Sequence, residues 1–542
     1  MPFFAQEHVP IPTKDILSWI CDGFNYDINK PVFINAADKS QSISAAQAWS
    51  IICKLVAGFK SAGLQAGDCV CLHSFNNIYY PVIVLGIIGA GGIFTGTNPS
   101  YTSFELKHHV ENSKARFILS EPEILDTISN VAQDLGLPKS RILILDTANQ
   151  SLPDGFESWR TLLTHGERDW VRFDGLGTSK NTTAMLLFSS GTTGLPKPAM
   201  LSHYNLVSQH TTVFEHRPRP YELSRIVALP MFHAATAPST HISALRSGHA
   251  NYIMRRFEVN SFLGNVEKYK VTDFIVVPPM VVSIVTSPYP NKIKALSSVR
   301  AALAGAAPLD KSMQARFQEL LDPATPFTQI WGMTETSCFA SLFYYPENDD
   351  TGSVGCFIPN IDVKLVDDEG KEITAYDVRG ELCVRGPGVI RGYLDNAEAN
   401  ARDFDEDGFF HTGDILYCDS KSKLWYIVDR KKELIKVRGF QVAPAEIEGS
   451  LLDHPKIIDA AVIGIHSPSD GSELPRAYVV RKPGHEELSE DEVKSHITER
   501  LAKYKRLDGG VKFIDVIPKT PSGKILKRIL REQAKREVGA KL

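Results

Sequence analysis

Cysteine is scarce, eight in 542 residues, too thin a scatter for a disulfide scaffold. Cys69 and Cys71 stand two apart, and no Cys-x-x-Cys pair occurs to suggest a zinc knuckle or a thioredoxin-like site. The thiols are expected to be reduced and mostly buried. An excess of charge is also missing. Fifty-nine Lys and Arg against 63 Asp and Glu leave −4, with a pI of about 6.5. That balance offers no global positive field for nucleic acid. The longest uncharged apolar run, Ile78 to Phe94, is shorter than the ~20 residues of a membrane span. It contains a proline and four glycines, so a buried core helix is expected there. The opening MPFFAQEHVPIPTK has no charged stretch leading into an apolar core, and no secretory signal is expected. Internal repeats and low-complexity tracts are absent, and a soluble chain is the expected reading.

What is present is ordinary globular material: 43% hydrophobic and 23% charged residues. At roughly 150 residues per domain the length predicts three to four lobes. Apolar runs at 69–75, 115–120, 141–146, 184–188, 225–230 and 273–279 alternate with amphipathic stretches, the pattern of α/β layers with largely parallel sheets. From about residue 350 shorter strands and turns predict a small β-rich subdomain. After Asp429 comes the basic segment DRKKELIKVRG, then an α+β unit with strands at 460–465 and 477–482. Its helix is expected to open with a capping box, Ser489 to Glu492, and to continue through Val493, Ile497, Leu501 and Tyr504. The expected fold is therefore α/β. A large N-terminal body (1–428), of two α/β lobes plus the β-rich subdomain, is joined through 429–432 to a small α+β C-terminal lid (433–542).

Four short motifs carry chemistry. Strand AMLLF runs into Ser189-Ser190-Gly191-Thr192-Thr193-Gly194-Leu195-Pro196-Lys197, where small residues let backbone N–H groups converge on an anion and a lysine adds a point charge. Its glycine and lysine spacing is not that of a Walker A loop, which rules out a phosphate-loop kinase. In Gln329-Ile330-Trp331-Gly332-Met333-Thr334-Glu335 an aromatic could stack on a purine, and a carboxylate could hold Mg²⁺, a hard cation that prefers oxygen. Asp414, in Phe410-His411-Thr412-Gly413-Asp414, could accept both hydroxyls of a ribose. Pro518-Lys519-Thr520-Pro521-Ser522-Gly523-Lys524 forms a tight loop presenting a lysine. Each motif alone is a common turn or strand end.

Together, in this order and with the stretch 429–448, they resemble the acyl-adenylate-forming superfamily of acyl-CoA synthetases, luciferases and peptide-synthetase adenylation domains. The likeness is greatest to the 4-coumarate–CoA ligase branch and covers essentially the whole chain. The resemblance implies a two-step reaction: a carboxylate attacks the α-phosphate of ATP to give acyl-AMP and pyrophosphate, then CoA thiol displaces AMP. It implies that Ser189 to Gly194 (Ser190, Gly191, Thr192 and Thr193 included) and Lys197 cradle the β- and γ-phosphates. Gln329, Trp331 and Thr334 would surround the adenine and α-phosphate, with Glu335 on Mg²⁺ and Asp414 and Arg430 on the ribose. Lys524 would bridge the substrate carboxylate and the α-phosphate.

The same resemblance implies that the mobile small domain turns about Lys432 between the two steps, bringing Lys436, Gln441 and the Arg438-Gly439 pair to the thioester step. For Lys431 a solvated charge run is the simpler expectation. Arg256 would contact a CoA phosphate. His233, Ala235, Ser239, Gly305, Ala306, Gly332, Cys338 and Phe339 would line the acyl pocket. Plant coumarate ligases commonly place a tyrosine near Ala235. Alanine there offers no phenol partner, and the small residues with Phe339 suit an apolar aryl (cinnamate- or phenylacetate-like) or medium-chain acid. Two departures are visible: Pro198 follows the loop lysine where glycine is usual, and Trp331 stands where tyrosine is usual.

The alternative second steps are loading of a carrier-protein arm or luciferase-like oxidation. A non-catalytic ligand-binding relative is disfavoured by Lys197, Glu335, Asp414 and Lys524 occurring together. The chain closes on Ala540-Lys541-Leu542, which resembles the Ser-Lys-Leu peroxisomal address. Recognition by a peroxisomal import receptor is expected, with a cytoplasmic location otherwise.

Overall fold

The structure is a computed structural model. It describes residues 3–148, 150–189, 196–431, 433–437, 440–466, 473–501, 503–520, 523 and 525–539, with backbone alone at 436, 440, 441, 538 and 539. The apolar runs form two seven-stranded sheets. The first has the order Glu157–Ser158, Ile142–Ile144, Ala115–Ser120, Cys69–His73, Ile93–Thr97, Thr183–Ser189, Lys197–Ser202. Its strands are parallel except the last, which runs antiparallel to Thr183–Ser189 with Ser189 opposite Lys197. The second sheet has the order Phe327–Gln329, Ala301–Ala304, Asp273–Val276, Ser224–Val227, Ala250–Ile253, Pro31–Asn35, Ser42–Ser44, again parallel except at its last strand. Helices cover both faces of such sheets, so a central strand like Cys69–His73 is buried at every position.

The run 78–94 is a helix, Tyr80–Gly89, buried at every residue, then a turn and the start of strand Ile93–Thr97. Pro81 sits in the first helical turn, where its missing N–H has no intrahelical partner to lose. Among the described residues no helix is long and apolar enough to cross a membrane. All eight cysteines are free; five are buried, and Cys356 is exposed.

The β-rich region is a five-stranded antiparallel sheet, Glu372–Ile373, Asp362–Val366, Gly380–Arg385, Phe410–Cys418, Trp425–Arg430, beside a three-stranded sheet that begins at Trp331–Met333. Beyond it come the hairpin Ile435–Val437/Phe440–Val442, a sheet of Ile457–His466, Glu473–Arg481 and Val511–Phe513, and the helices Pro444–Leu452, Glu490–Arg500 and Lys527–Gly539. Two hydrophobic clusters here consist wholly of residues from Ile435 onward.

The capping box forms by half. Ser489 Oγ accepts from Glu492 N at 3.2 Å, but the Glu492 carboxylate pairs with Lys456 at 3.0 Å. A full positive charge outcompetes a neutral N–H for it. The helix also stops short of the predicted period. Leu501 is extended, and Tyr504 lies in a following 3₁₀ turn, though both still pack on the core of Val493 and Ile497.

Candidate active site

The side expected to take the phosphates is built on the edge of the first sheet. Residues 190–194, expected to cradle phosphates, lie outside the described residues; the strands that flank them pair Ser189 with Lys197. Lys197 is largely buried. Its Nζ is 2.9 Å from Asp403 Oδ2 and 3.9 Å from the centre of the Tyr393 ring. Burial pushes the Asp403 pKa up, but Arg402 and Lys197 outweigh that and hold it below the usual carboxylate value. Tyr393 donates its hydroxyl to Glu335 Oε1 at 2.7 Å. Glu335 Oε2 is buried with no hydrogen-bond partner. The loop lysine and the predicted metal carboxylate thus meet through one tyrosine ring. Among the described residues no three metal-ligating side chains cluster. An orphaned carboxylate oxygen beside a phosphate site nonetheless fits Mg²⁺, which binds through one or two carboxylates plus substrate phosphates.

The side expected to take the adenosine joins the three- and five-stranded sheets. Trp331 donates its indole N–H to Asp414 Oδ2 at 2.8 Å, and Arg430, the register partner of Asp414, sits 3.3 Å from Oδ1. A carboxylate has about four acceptor positions. Two are taken, one on each oxygen, which leaves one on each for the vicinal hydroxyls of a ribose. Thr334 is half-buried at the start of the 3₁₀ turn Thr334–Thr336. Gln329 is fixed within the protein. Its carboxamide accepts from Leu309 N and donates to Leu309 O and Gln314 Oε1, all at 2.9 Å, so its polar atoms are already bonded within the protein. Lys431 departs from the solvated run expected for it. It bonds Glu381 at 2.9 Å, and Glu381 accepts from Gly413 N at 3.2 Å beside Asp414. Burial pushes the Glu381 pKa up, but His411 and Lys431 hold it at about 2.

Around the acyl pocket the backbone is strained. Ala306, Ser337 and Cys338 have φ of +70°, +59° and +116°. Left-handed non-glycine residues cost about 1–3 kcal/mol each and persist only where the surroundings over-determine them. Two buried glutamines do this. Gln329 grips both backbone groups of Leu309, three residues beyond Ala306, and Gln209 grips both of Phe339, next to Cys338. At Gly332 a Cβ would stand 1.6 Å from the Cys338 carbonyl oxygen, and at Gly305 a Cβ would stand 2.7 Å from Ile330. Close packing therefore requires both glycines. His233 Nδ1 accepts from Ala235 N at 3.2 Å, and burial lowers its pKa. The neutral ring therefore carries its proton on Nε2, a donor. Ser239 Oγ donates to Ala235 O at 3.2 Å.

Arg256 is exposed at a cavity of about 360 Å³ that Phe75, Arg255 and Glu258 also line; its neighbour Arg255 is ion-paired to Glu121 at 2.7 Å. Lys436 and Gln441 face each other across their hairpin in register. Their side chains, Lys432, the Arg438-Gly439 pair and Lys524 lie outside the described residues. Gly523, one residue before Lys524, packs on the body so closely that a Cβ would be 2.4 Å from Pro279.

Residues 25–394 match the AMP-binding enzyme family, and residues 446–524 match the AMP-binding enzyme C-terminal domain. The chain belongs to the AMP-binding enzyme family. Phenylacetyl-CoA ligase epaB of Aspergillus niger is 52% identical over 98% of this chain and 99% of its own length. Acyl-CoA ligase azaF of Aspergillus niger is also 52% identical, over 98% and 100%. Among solved structures, ATP-bound MatB from Rhodopseudomonas palustris superposes with a TM-score of 0.82 at 27% identity, covering 95% of this chain and 98% of that one. Sequence reasoning passed over four side chains that the AMP-binding fold brings to this site: Tyr393, Asp403, Gln209 and Glu381. None lies in the four motifs, and no spacing marks them.

Proposed function

We propose that this AMP-binding enzyme is an ATP-dependent carboxylate–CoA ligase working through acyl-AMP, on an aryl or medium-chain acid. The observation that carries the reading is the Lys197–Tyr393–Glu335 chain on the phosphate side, together with Asp414, held by Trp331 and Arg430 with one acceptor position open on each oxygen. Relatives 52% identical along nearly their whole length are named phenylacetyl-CoA and acyl-CoA ligases, which supports the same chemistry here.

A carboxylate is a poor acyl electrophile, and adenylation converts its oxygen into a leaving group. Lys197 and the backbone of 189–194 hold the β- and γ-phosphates, and Asp414 orients the ribose. Glu335 Oε2 would hold Mg²⁺, which when bound would neutralise phosphate charge. His233 Nε2–H donates at the mouth of the acyl pocket. Lys524 neutralises charge as the adenylate forms, then leaves when the small domain turns about Lys432. That turn brings Lys436, Gln441, Arg438 and Gly439 to the thioester step, and Arg256 takes a CoA phosphate. The C-terminal Ala540-Lys541-Leu542 addresses the enzyme to peroxisomes through the import receptor. Deleting those three residues is expected to move a fluorescent fusion into the cytosol, and an unchanged distribution refutes the address.

The decisive assay is AMP and pyrophosphate release with a panel of aryl and medium-chain acids, with and without CoA. CoA-dependent turnover with a matching thioester is expected. Pyrophosphate exchange without thioester refutes CoA as the acceptor and favours a carrier protein or oxygen. Lys524→Ala is expected to lose about 10²–10³ in adenylation rate while still converting supplied acyl-AMP. Equal loss in both half-reactions refutes its role.

A further inference from the structure

A buried polar row crosses the second sheet beside Ser239 of the expected acyl wall, and the chemistry above leaves it unused. Parallel pairing makes Arg225 the register partner of Asn251 on one side and of Asp273 on the other, so the three side chains share one face of the sheet. Asn251 is fully buried, and neither its amide nitrogen nor its carbonyl oxygen has a hydrogen-bond partner. Asp273 is buried as well. Its Oδ1 accepts from Arg219 at 3.3 Å and from Tyr221 at 3.2 Å, while its Oδ2 has no partner. Arg225 uses Nη1 on the Ser239 carbonyl (3.2 Å) and Ser243 Oγ (3.0 Å) and lies 4.9 Å from the centre of the Phe214 ring. Burial lowers its pKa to about 10, which leaves it charged at neutral pH.

Arg219, Arg225 and Asp273 line a cavity of about 50 Å³ with Phe214, Thr236 and Ser239. Ser239 belongs to the expected acyl wall, and Phe214 packs edge-on against Phe339 at 6.2 Å. The cavity thus borders that expected wall at Ser239 and, through Phe214, at Phe339. Buried polar atoms without partners are rare and need an explanation. An apolar chain end here would strand Asp273 Oδ2 and part of the guanidinium. A second carboxylate would satisfy Arg225 but has no proton to donate to Asp273 Oδ2, and Arg219 already pairs with Oδ1. A hydroxyl accepts from one and donates to the other.

We propose that the substrate is a carboxylic acid with a hydroxyl group at the end remote from its carboxylate, and that Arg225 and Asp273 recognise that hydroxyl. The inference rests on the acid–CoA ligase reading and deepens it. It also supplies, from the sheet, the hydroxyl partner that Ala235 cannot.

The test is kcat/KM for matched acid pairs, 4-hydroxyphenylacetate against phenylacetate and ω-hydroxy against unsubstituted medium-chain acids, read as acid-dependent AMP release with CoA. The hydroxylated member of at least one pair is expected to be favoured by about 10- to 100-fold. Asp273→Asn and Arg225→Lys, each checked for folding by circular dichroism, are expected to reduce that ratio to within about threefold, mainly through KM. Equal kcat/KM within every pair, a preference for the dicarboxylic analogue, or a ratio unchanged in both folded variants overturns the inference while leaving the ligase intact. Absence of AMP release with every acid overturns the ligase reading itself, and the inference with it.

Discussion

Replacing Trp331 by phenylalanine keeps an aromatic ring where the proposed function puts the adenine but removes the indole N–H that Asp414 Oδ2 accepts at 2.8 Å. Both residues are buried, so no water freely replaces the bond. A hydrogen bond to a charged group is worth about 1.5–3 kcal/mol net, and each ~1.4 kcal/mol is a factor of ten. Arg430 still grips Oδ1, so the carboxylate stays near its place and loses its aim. The expected result for Trp331→Phe is a KM for ATP raised by about 10- to 100-fold, with kcat and the KM for the acid within about threefold. The penalty should be smaller with 2′-deoxy-ATP, which asks less of Asp414. Pyrophosphate exchange measures both nucleotides, and a melting curve checks that the variant folds. An unchanged KM for ATP, or an equal penalty with both nucleotides, refutes the claim that this bond prepares Asp414 for a ribose.

Glu335→Gln keeps the size and the Tyr393 partner but replaces the carboxylate, and the Mg²⁺ concentration for half-maximal activity is expected to rise at least about tenfold. An unchanged Mg²⁺ titration removes Glu335 from the metal. Lys527, 3.0 Å from Glu448 and largely buried, has its charge opposed by burial but held by Glu448, Asp429 and Glu433. Lys527→Met strands those carboxylates and should cost about 3–5 kcal/mol, read as an earlier urea transition of the C-terminal domain; a loss below about 1 kcal/mol refutes the account.

Glu381, depressed from 4.5 to about 2, contributes stability that is complete above pH 4.5 and is lost as pH falls from there toward 2. That contribution is at most about 3 kcal/mol. His411, raised above 6.5 chiefly by its hydrogen bond to Glu381, contributes below pH 6.5 and loses that contribution as pH rises through its folded value. Urea midpoints against pH should therefore show an acid limb that Glu381→Gln flattens; a limb that survives the substitution assigns it to other carboxylates.

What the sequence determined by itself is local. Runs such as ARFILS and AMLLF became strands because a buried parallel strand needs only a short apolar stretch. The four motifs point to phosphate, ribose and metal chemistry as an expectation, because turns, glycines and charges declare themselves over a few residues. The tertiary structure decided which groups meet. Tyr393 reaches Glu335 across 58 residues, Gln209 grips Phe339 across 130, and Lys197 finds Asp403 across 206. The polar row of Asn251, Arg225 and Asp273 exists only because three separate strands pair in one register. Glu492 and Lys431 took partners other than those their own segments suggested, and Gln329 bonds Leu309 and Gln314. Each of these side chains bonds whatever donor or acceptor the topology brings within about 3 Å, and no pattern along one strand or helix encodes that neighbour.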